Sequence, residues 1–465
     1  MTDVHASVSA GRLCGRDLGG VHRYLGVPYA EDPVGDLRFA APQRRAPWAG
    51  TRDATRPAAT GQRLRFDPNP AIPEPVVAGS DILHVDVWAP AVPADGAGHP
   101  VLVWIHGGGW ESGSSSQPWF DGTSFARHGV VVVSVGYRLG VEGFTPFPDA
   151  PDNRGVLDWI AALEWVRDEI AVFGGDPGQV TVAGQSAGGG AVLCLLASPL
   201  ADGLVHGAIA ASPAMLRSPA APTPKGVTAA SLATGGRGAV DEFHRRLRRE
   251  NPLKLPFRPT VGSEVIPVPP LEAIAAGAGA AIPLLIGATA SEFETVVDRI
   301  PGPALLPGVA MALHAQQVPA EGLAALARQS SRRSLRRSAG AVIDAASFHS
   351  TVAVVAETRA AAGEPTWVYD FTWSGGRGAV HCADLPFAWN VPEAENVEGL
   401  LGSTPPPGLV EAVHSSWVDF VTTGDPGFAA YGLPSRRVRV WDEPPTDVDD
   451  GLAQVRAVWW PEKRG

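Results

Sequence analysis

Apolar positions along this chain follow two rhythms. Residues 101–105, 129–135, 205–211, 283–287, 367–371 and 438–441 are short, nearly unbroken apolar runs. Runs that do not alternate suit strands buried on both faces of a sheet. Between the second and third runs, Trp159, Leu163, Val166, Ile170 and Phe173 recur at spacings of four and three, which places them on one face of a helix. Asp152 and Asn153 are candidate caps for its start, and Gly174 and Gly175 end it. Strands separated by such helices predict an α/β protein with a mainly parallel central sheet and helices on both faces.

The flanks differ from this centre. Residues 1–95 read as short strands and turns, V-H-R-Y-L-G-V-P-Y-A, L-R-F-A-A-P and D-I-L-H-V-D-V-W, punctuated by Pro and Gly, and so predict a small N-terminal β region. Residues 213–256 and 301–345 read as Ala-rich helices carrying R-R-L-R-R and R-R-S-L-R-R, which are taken as solvated helix faces. The longest uncharged run, 273–291, is broken by Pro283 and ends in L-L-I-G, so it predicts a helix followed by a strand and no membrane insertion. There is no repeat and no long linker, and residues 1–465 are expected to form one domain.

Composition narrows the setting rather than the chemistry. With 45% hydrophobic and 18% charged residues the chain can bury a large core. A net charge of -11 argues against nucleic acid or an anionic membrane as partners. Cys14, Cys194 and Cys382 have neither metal-ligand spacing nor an even count, and residues 1–12 lack a basic and apolar leader pattern. A cytoplasmic protein is expected, as a monomer or homodimer.

The chemistry centres on residues 180–192, V-T-V-A-G-Q-S-A-G-G-G-A-V. Three β-favouring residues run into G-Q-S-A-G, and small and aliphatic residues follow in a helical pattern. A serine at such a strand-to-helix turn sits in strained geometry with its hydroxyl clear of the sheet, and flanking glycines permit the close approach. A serine needs a base to take its proton and an acid to orient that base, and in chains built on this elbow the acid and then the histidine follow later strands. Glu292 and Glu294 both follow the run at 283–287, and the pattern does not choose between them. His381 lies in a loop after the run at 367–371, whereas His206, His244, His314, His349 and His414 sit within strand or helix patterns. His106-Gly107-Gly108-Gly109-Trp110 directly follows a core strand, so Gly108, Gly109 and Ala187 are candidate donors to a developing oxyanion. Trp110, Trp119 and Trp389 are candidates to line an apolar substrate site. No P-loop, H-E-x-x-H or dinucleotide fingerprint is present, and no cofactor or metal is implied.

Several longer stretches carry a resemblance. They are G-V-P-Y-A-E-D-P-V-G-D-L-R-F-A-A-P from Gly26, W-I-H-G-G-G-W from Trp104, D-N-R-G-V-L-D, L-E-W-V-R-D-E-I-A-V-F-G-G-D-P, F-R-P-T-V-G-S-E-V-I-P from Phe257, H-C-A-D-L-P-F, and W-V-D-F-V-T-T-G-D-P from Trp417. Nearly end to end, the chain resembles the type-B carboxylesterases, the family of bacterial para-nitrobenzyl esterases and cholinesterases. The resemblance implies an α/β-hydrolase fold and hydrolysis of small-molecule carboxylic esters by a serine mechanism. It implies Ser186 as nucleophile, Glu292 rather than Glu294 as acid, His381 as base, and Gly108, Gly109 and Ala187 as the oxyanion hole. An amidase, carbamate or lactone hydrolase with the same triad is the alternative, followed by a cholinesterase-like binding domain without catalysis.

The departures from that family's pattern carry expectations of their own. Gln185 stands where the family usually has glutamate, which removes a negative charge and disfavours cation-seeking substrates such as choline esters. Ser80-Asp81-Ile82-Leu83 lacks a disulfide cysteine and the usual glutamate partner of Arg38, leaving Asp81 as the candidate partner. Trp159 replaces a usual glutamine. The segments at 213–256 and 301–345 are expected to form helical walls or lids, and the short first one a more open pocket.

Overall fold

The computed structural model describes residues 2–61, 70–94, 96, 98–215, 225–250, 256–293, 302–315, 318–319, 322 and 335–459. Its frame is a sheet of thirteen strands. In chain order these are β1 (Asp3–Val8), β2 (Gly11–Asp17), β3 (Val21–Pro28), β4 (Thr51–Asp53), β5 (His84–Pro90), β6 (His99–Ile105) and β7 (Val131–Val135). Then come β8 (Gly175–Gln185), β9 (Gly207–Ala211), β10 (Leu284–Thr289), β11 (Thr366–Phe371), β12 (Val438–Trp441) and β13 (Thr446–Val448). The spatial order is β1-β2-β3-β5-β7-β6-β8-β9-β10-β11-β12-β13, with β4 beside β2. Strands β6 through β12 pair in parallel, while β1, β2, β3, β5 and β13 join antiparallel at the edges and β4 pairs in parallel with β2. This is the α/β-hydrolase architecture, with every predicted core run present as a strand.

The unalternating runs have a direct cause. Along β6, Val101, Val103 and Ile105 enter one hydrophobic cluster and Leu102 and Trp104 enter the other. Successive side chains of a strand point to opposite faces, so both faces of the sheet are covered and every position must be apolar. The predicted helix forms at Arg154–Glu169 and tightens at Ile170–Phe173 before Gly174 at φ 79° closes it. Its start differs from expectation. Asn153 makes no side-chain cap there; its amide instead accepts from the Thr260 backbone N–H at 2.7 Å and donates to the Thr260 carbonyl at 2.8 Å. Arg138 and Asp158, both buried, tie this helix to the loop after β7 at 2.6 Å. The run at 273–291 is helix Pro270–Ala275 and then β10, as the broken pattern predicts.

Two sequence expectations need correction. Arg38 pairs with Glu142 at 2.7 Å, and Asp81 pairs with Arg52 at 2.9 Å, so Asp81 does not replace the missing glutamate. The stretch L-R-F-A-A-P forms no strand: its Leu37 closes the short helical turn Gly35–Leu37, and turns and irregular backbone follow. Within the two wall segments, helices occupy Ala229–Thr234, Gly236–Glu250, Gly302–Ala315 and Leu335–Asp344.

Candidate active site

The carboxyl ends of β6, β8, β10 and β11 converge on one place, the edge at which open parallel sheets generally bind ligands. Strand β8 ends at Gln185, and helix Ala187–Leu196 begins after one intervening residue. Ser186 between them has φ 59° and ψ −120°, a conformation that costs energy and persists only where its surroundings over-determine it. Here they do. The Ser186 N–H donates to the Ala211 carbonyl at 3.0 Å, and its carbonyl accepts from Gly190 and Ala214, each at 2.9 Å.

The flanking glycines are required by contact. A Cβ on Gly188 would stand 2.0 Å from the Ile105 carbonyl oxygen, and one on Gly184 would stand 2.4 Å from the Gly188 carbonyl. We expect Gly188→Ala to force the elbow away from β6, at a cost of about 1–3 kcal/mol in stability and with loss of activity. Thermal unfolding beside an ester assay checks this, and an unchanged Tm with full activity would contradict it.

His381 and Glu292 meet across the loops after β11 and β10. The His381 Nδ1–H donates to Glu292 Oε2, and the His381 backbone N–H donates to the Glu292 carbonyl at 2.9 Å. Glu292 is 1% exposed, and its other carboxylate oxygen accepts the Thr289 N–H at 2.9 Å. Burial pushes the Glu292 pKa up, but the His381 charge and hydrogen bond, the Ser212 hydroxyl and His349 together outweigh it, and the net direction is down. The imidazole is flanked by Phe293 and Phe348, with ring centroids 4.8 and 4.9 Å away. Its Nε2 lies 3.2 Å from Gln185 Nε2 in the elbow, so a neutral amide stands at the position where the resemblance expects a carboxylate. Glu294, the alternative acid, lies outside the described residues.

The loop after β6 turns through residues of positive φ, 109° at Gly108, 64° at Gly109 and 60° at Trp110. The Gly108 carbonyl accepts from Glu111 N–H at 3.2 Å, Ser112 N–H at 3.0 Å and Ser112 Oγ at 3.1 Å. Because that carbonyl and the Gly109 N–H belong to one planar trans peptide, fixing the oxygen turns the N–H the opposite way. Among the described residues the Gly108, Gly109 and Ala187 amides have no backbone acceptor, and Ala187 opens a helix whose first N–H groups are unpaired by geometry. His106 supports the loop from below. Burial lowers its pKa to about 4, and its Nδ1–H donates to the Gly107 carbonyl at 2.8 Å, so it serves as a neutral brace.

The three tryptophans proposed as substrate contacts are placed differently. Trp119 and Trp389 are 0% exposed, and Trp110 is 1% exposed, so none presents a surface to a ligand in this structure. Trp389 packs on Trp104 at 5.1 Å and Phe125 at 5.4 Å under the sheet, and the Trp119 indole donates to the Glu395 carbonyl at 2.8 Å. Trp110 fills the space beside Gly190 on the elbow helix. The structure brings forward residues that sequence reading passed over. A π-helical turn at Ala345–His349 interrupts the helix from Leu335 to Ala362. It sets Phe348 against His381, while His349 Nε2–H donates to the Thr289 carbonyl at 2.9 Å. Asp344 just before it accepts the Phe293 N–H at 2.6 Å. Such turns are frequent at functional sites, but no sequence signature marks this one.

Comparison with known proteins bears on the same region. The family described as Carboxylesterase family matches residues 2–236 and 238–449. The chain is 33% identical to the para-nitrobenzyl esterase of Bacillus subtilis (strain 168) over 500 aligned residues, covering 100% of both proteins. It is 32% identical to the phenmedipham hydrolase of Pseudarthrobacter oxydans, covering 90% of each. A thermophilic PNB esterase structure superposes with a TM-score of 0.86 at 30% identity, over 99% of this chain and 100% of that one.

Proposed function

The chain belongs to the carboxylesterase family and is a carboxylic ester hydrolase acting on small-molecule esters, and from that premise we propose that Ser186, His381 and Glu292 carry the reaction through an acyl-enzyme. The observation that carries the proposal is the pairing of His381 with the buried Glu292 at the mouth of the Ser186 elbow. Glu292 accepts the Nδ1 proton and so keeps Nε2 unprotonated; its lone pair, which meets the Gln185 amide in this structure, acts as base once it is turned to Ser186. His381 takes the Ser186 proton as Oγ attacks the ester carbonyl, and Gly108, Gly109 and Ala187 donate to the oxyanion that forms. His381 then returns the proton to the leaving alcohol. Water, deprotonated by His381, attacks the acyl-enzyme, and collapse of the second oxyanion releases the acid and restores Ser186.

Gln185 supports neutral over cationic esters as substrates. Its amide carries no charge, so it adds no attraction for an ammonium group beside the base. The three cysteines are unpaired, which supports a reducing, cytoplasmic setting.

Partitioning tests the acyl-enzyme. Esters that share an acetyl group but differ in alcohol are hydrolysed with added methanol, and methyl acetate and acetate are measured. A common acyl-enzyme gives one product ratio for every leaving group. A ratio that changes with the alcohol would sink the covalent mechanism.

A further inference from the structure

The mechanism above leaves unused a buried ionisable pair beside the oxyanion loop. Glu111 stands two residues beyond Gly109 and is 1% exposed. Its Oε2 accepts a hydrogen bond of 2.8 Å from His244 Nε2, and His244 is 2% exposed. His244 belongs to helix Gly236–Glu250, whose buried residues Val240, Phe243, His244 and Leu247 form one face. Arg248, one turn further along, approaches the same carboxylate oxygen at 3.7 Å. The His244 ring is held against Phe257 at a centroid distance of 4.4 Å, and a Cβ on Gly140 would meet its Cε1 and Nδ1 at 2.9 Å.

We propose that the Glu111–His244 pair is a positioning device that couples the docked wall helix to the orientation of the oxyanion-hole peptide. The inference rests on the reading of Gly108 and Gly109 as oxyanion donors. A carboxylate taken out of water must be paired and hydrogen-bonded, so Glu111 stays inward while the docked helix brings the His244 hydrogen bond and the more distant Arg248 charge to it. With the side chain inward, the Glu111 backbone N–H caps the Gly108 carbonyl, and that contact directs the Gly109 N–H toward the site. The loop needs such outside support. Trp110 is a bulky residue at φ 60°, next to two glycines also at positive φ, and the Trp110 carbonyl is itself held by the Gly140 N–H at 2.7 Å. Undocking the helix therefore loosens a donor without touching Ser186, His381 or Glu292.

The test uses the full chain with p-nitrophenyl acetate as substrate and a trifluoromethyl ketone as a probe that binds as a hemiketal oxyanion. His244→Ala is expected to lower kcat by about 10- to 100-fold and to weaken the ketone by a similar factor. KM is expected to stay within about threefold, because the neutral substrate does not draw on the oxyanion donors as strongly. His244→Gln, which keeps a donor near the Nε2 position, is expected to recover most of both losses. If His244→Ala is not recovered folded, Glu111→Gln/His244→Phe removes the charge and the donor together and is held to the same outcomes. Unchanged kcat and ketone affinity in a folded variant, or a loss confined to KM, would overturn the coupling. Ser186→Ala separates this from the parent reading: activity surviving that change defeats the serine mechanism whatever His244 does.

Discussion

Ser186→Ala is expected to lower kcat on p-nitrophenyl esters by about 10⁶-fold, the order found when the nucleophile of a serine triad is removed. Nothing else at this site replaces the attacking atom. The hydroxyl stands at a turn held by three backbone hydrogen bonds of 2.9–3.0 Å, and none of them uses Oγ. The variant therefore keeps the elbow, and its Tm stays within about 2 °C of native because a half-buried hydroxyl is all that is lost. Activity within tenfold of native, in a protein whose unfolding is unchanged, would remove Ser186 from the mechanism.

Glu292→Gln is expected to lower kcat by about 10⁴-fold while leaving the fold in place. An amide at this position presents an N–H to His381 Nδ1 and favours the tautomer with its proton on Nε2, where the Ser186 proton must go. It also removes the charge that steadies the imidazolium. Stability follows a separate sign. The Glu292 pKa is lowered on folding, so its contribution is whole above the ordinary glutamate pKa of about 4.3 and is lost as pH falls through the lower folded value. The native protein should lose stability on acidification through that range, and the variant should lose less. Parallel urea melts at neutral and acidic pH measure the difference, and identical pH dependence in both proteins would count against a charged, paired Glu292.

The parts of this account legible in the sequence share one property: they are local. A strand buried on both faces is apolar at nearly every position, so β6, β7, β9 and β10 announce themselves as runs. A strand-to-helix elbow needs glycines where backbone meets backbone, and Gly184 and Gly188 meet carbonyls within 2.4 Å of a Cβ. The misplaced residues depend on distant packing. Trp119 and Trp389 neighbour loops in sequence, yet both lie fully buried, and Trp389 meets Trp104 edge to face, although the two are far apart in the chain. Arg38 reaches Glu142 rather than Asp81 for a similar reason, since Asp81 faces Arg52 across the N-terminal strands. His349 and Phe348 support the acid and the base only because a π turn rotates them there, and a helical pattern alone hides that turn. Glu111 and His244 are each unremarkable in sequence, and their significance comes from meeting across 133 positions.

The central claim, a nucleophilic Ser186 activated by His381, is tested most directly by covalent labelling followed by peptide mapping. A fluorophosphonate is expected to inactivate the enzyme at one adduct per chain, carried by the peptide containing Gln185-Ser186-Ala187, and to leave Ser186→Ala unmodified. Full inactivation with the adduct on another residue, or continued ester hydrolysis after Ser186 is quantitatively labelled, would contradict it.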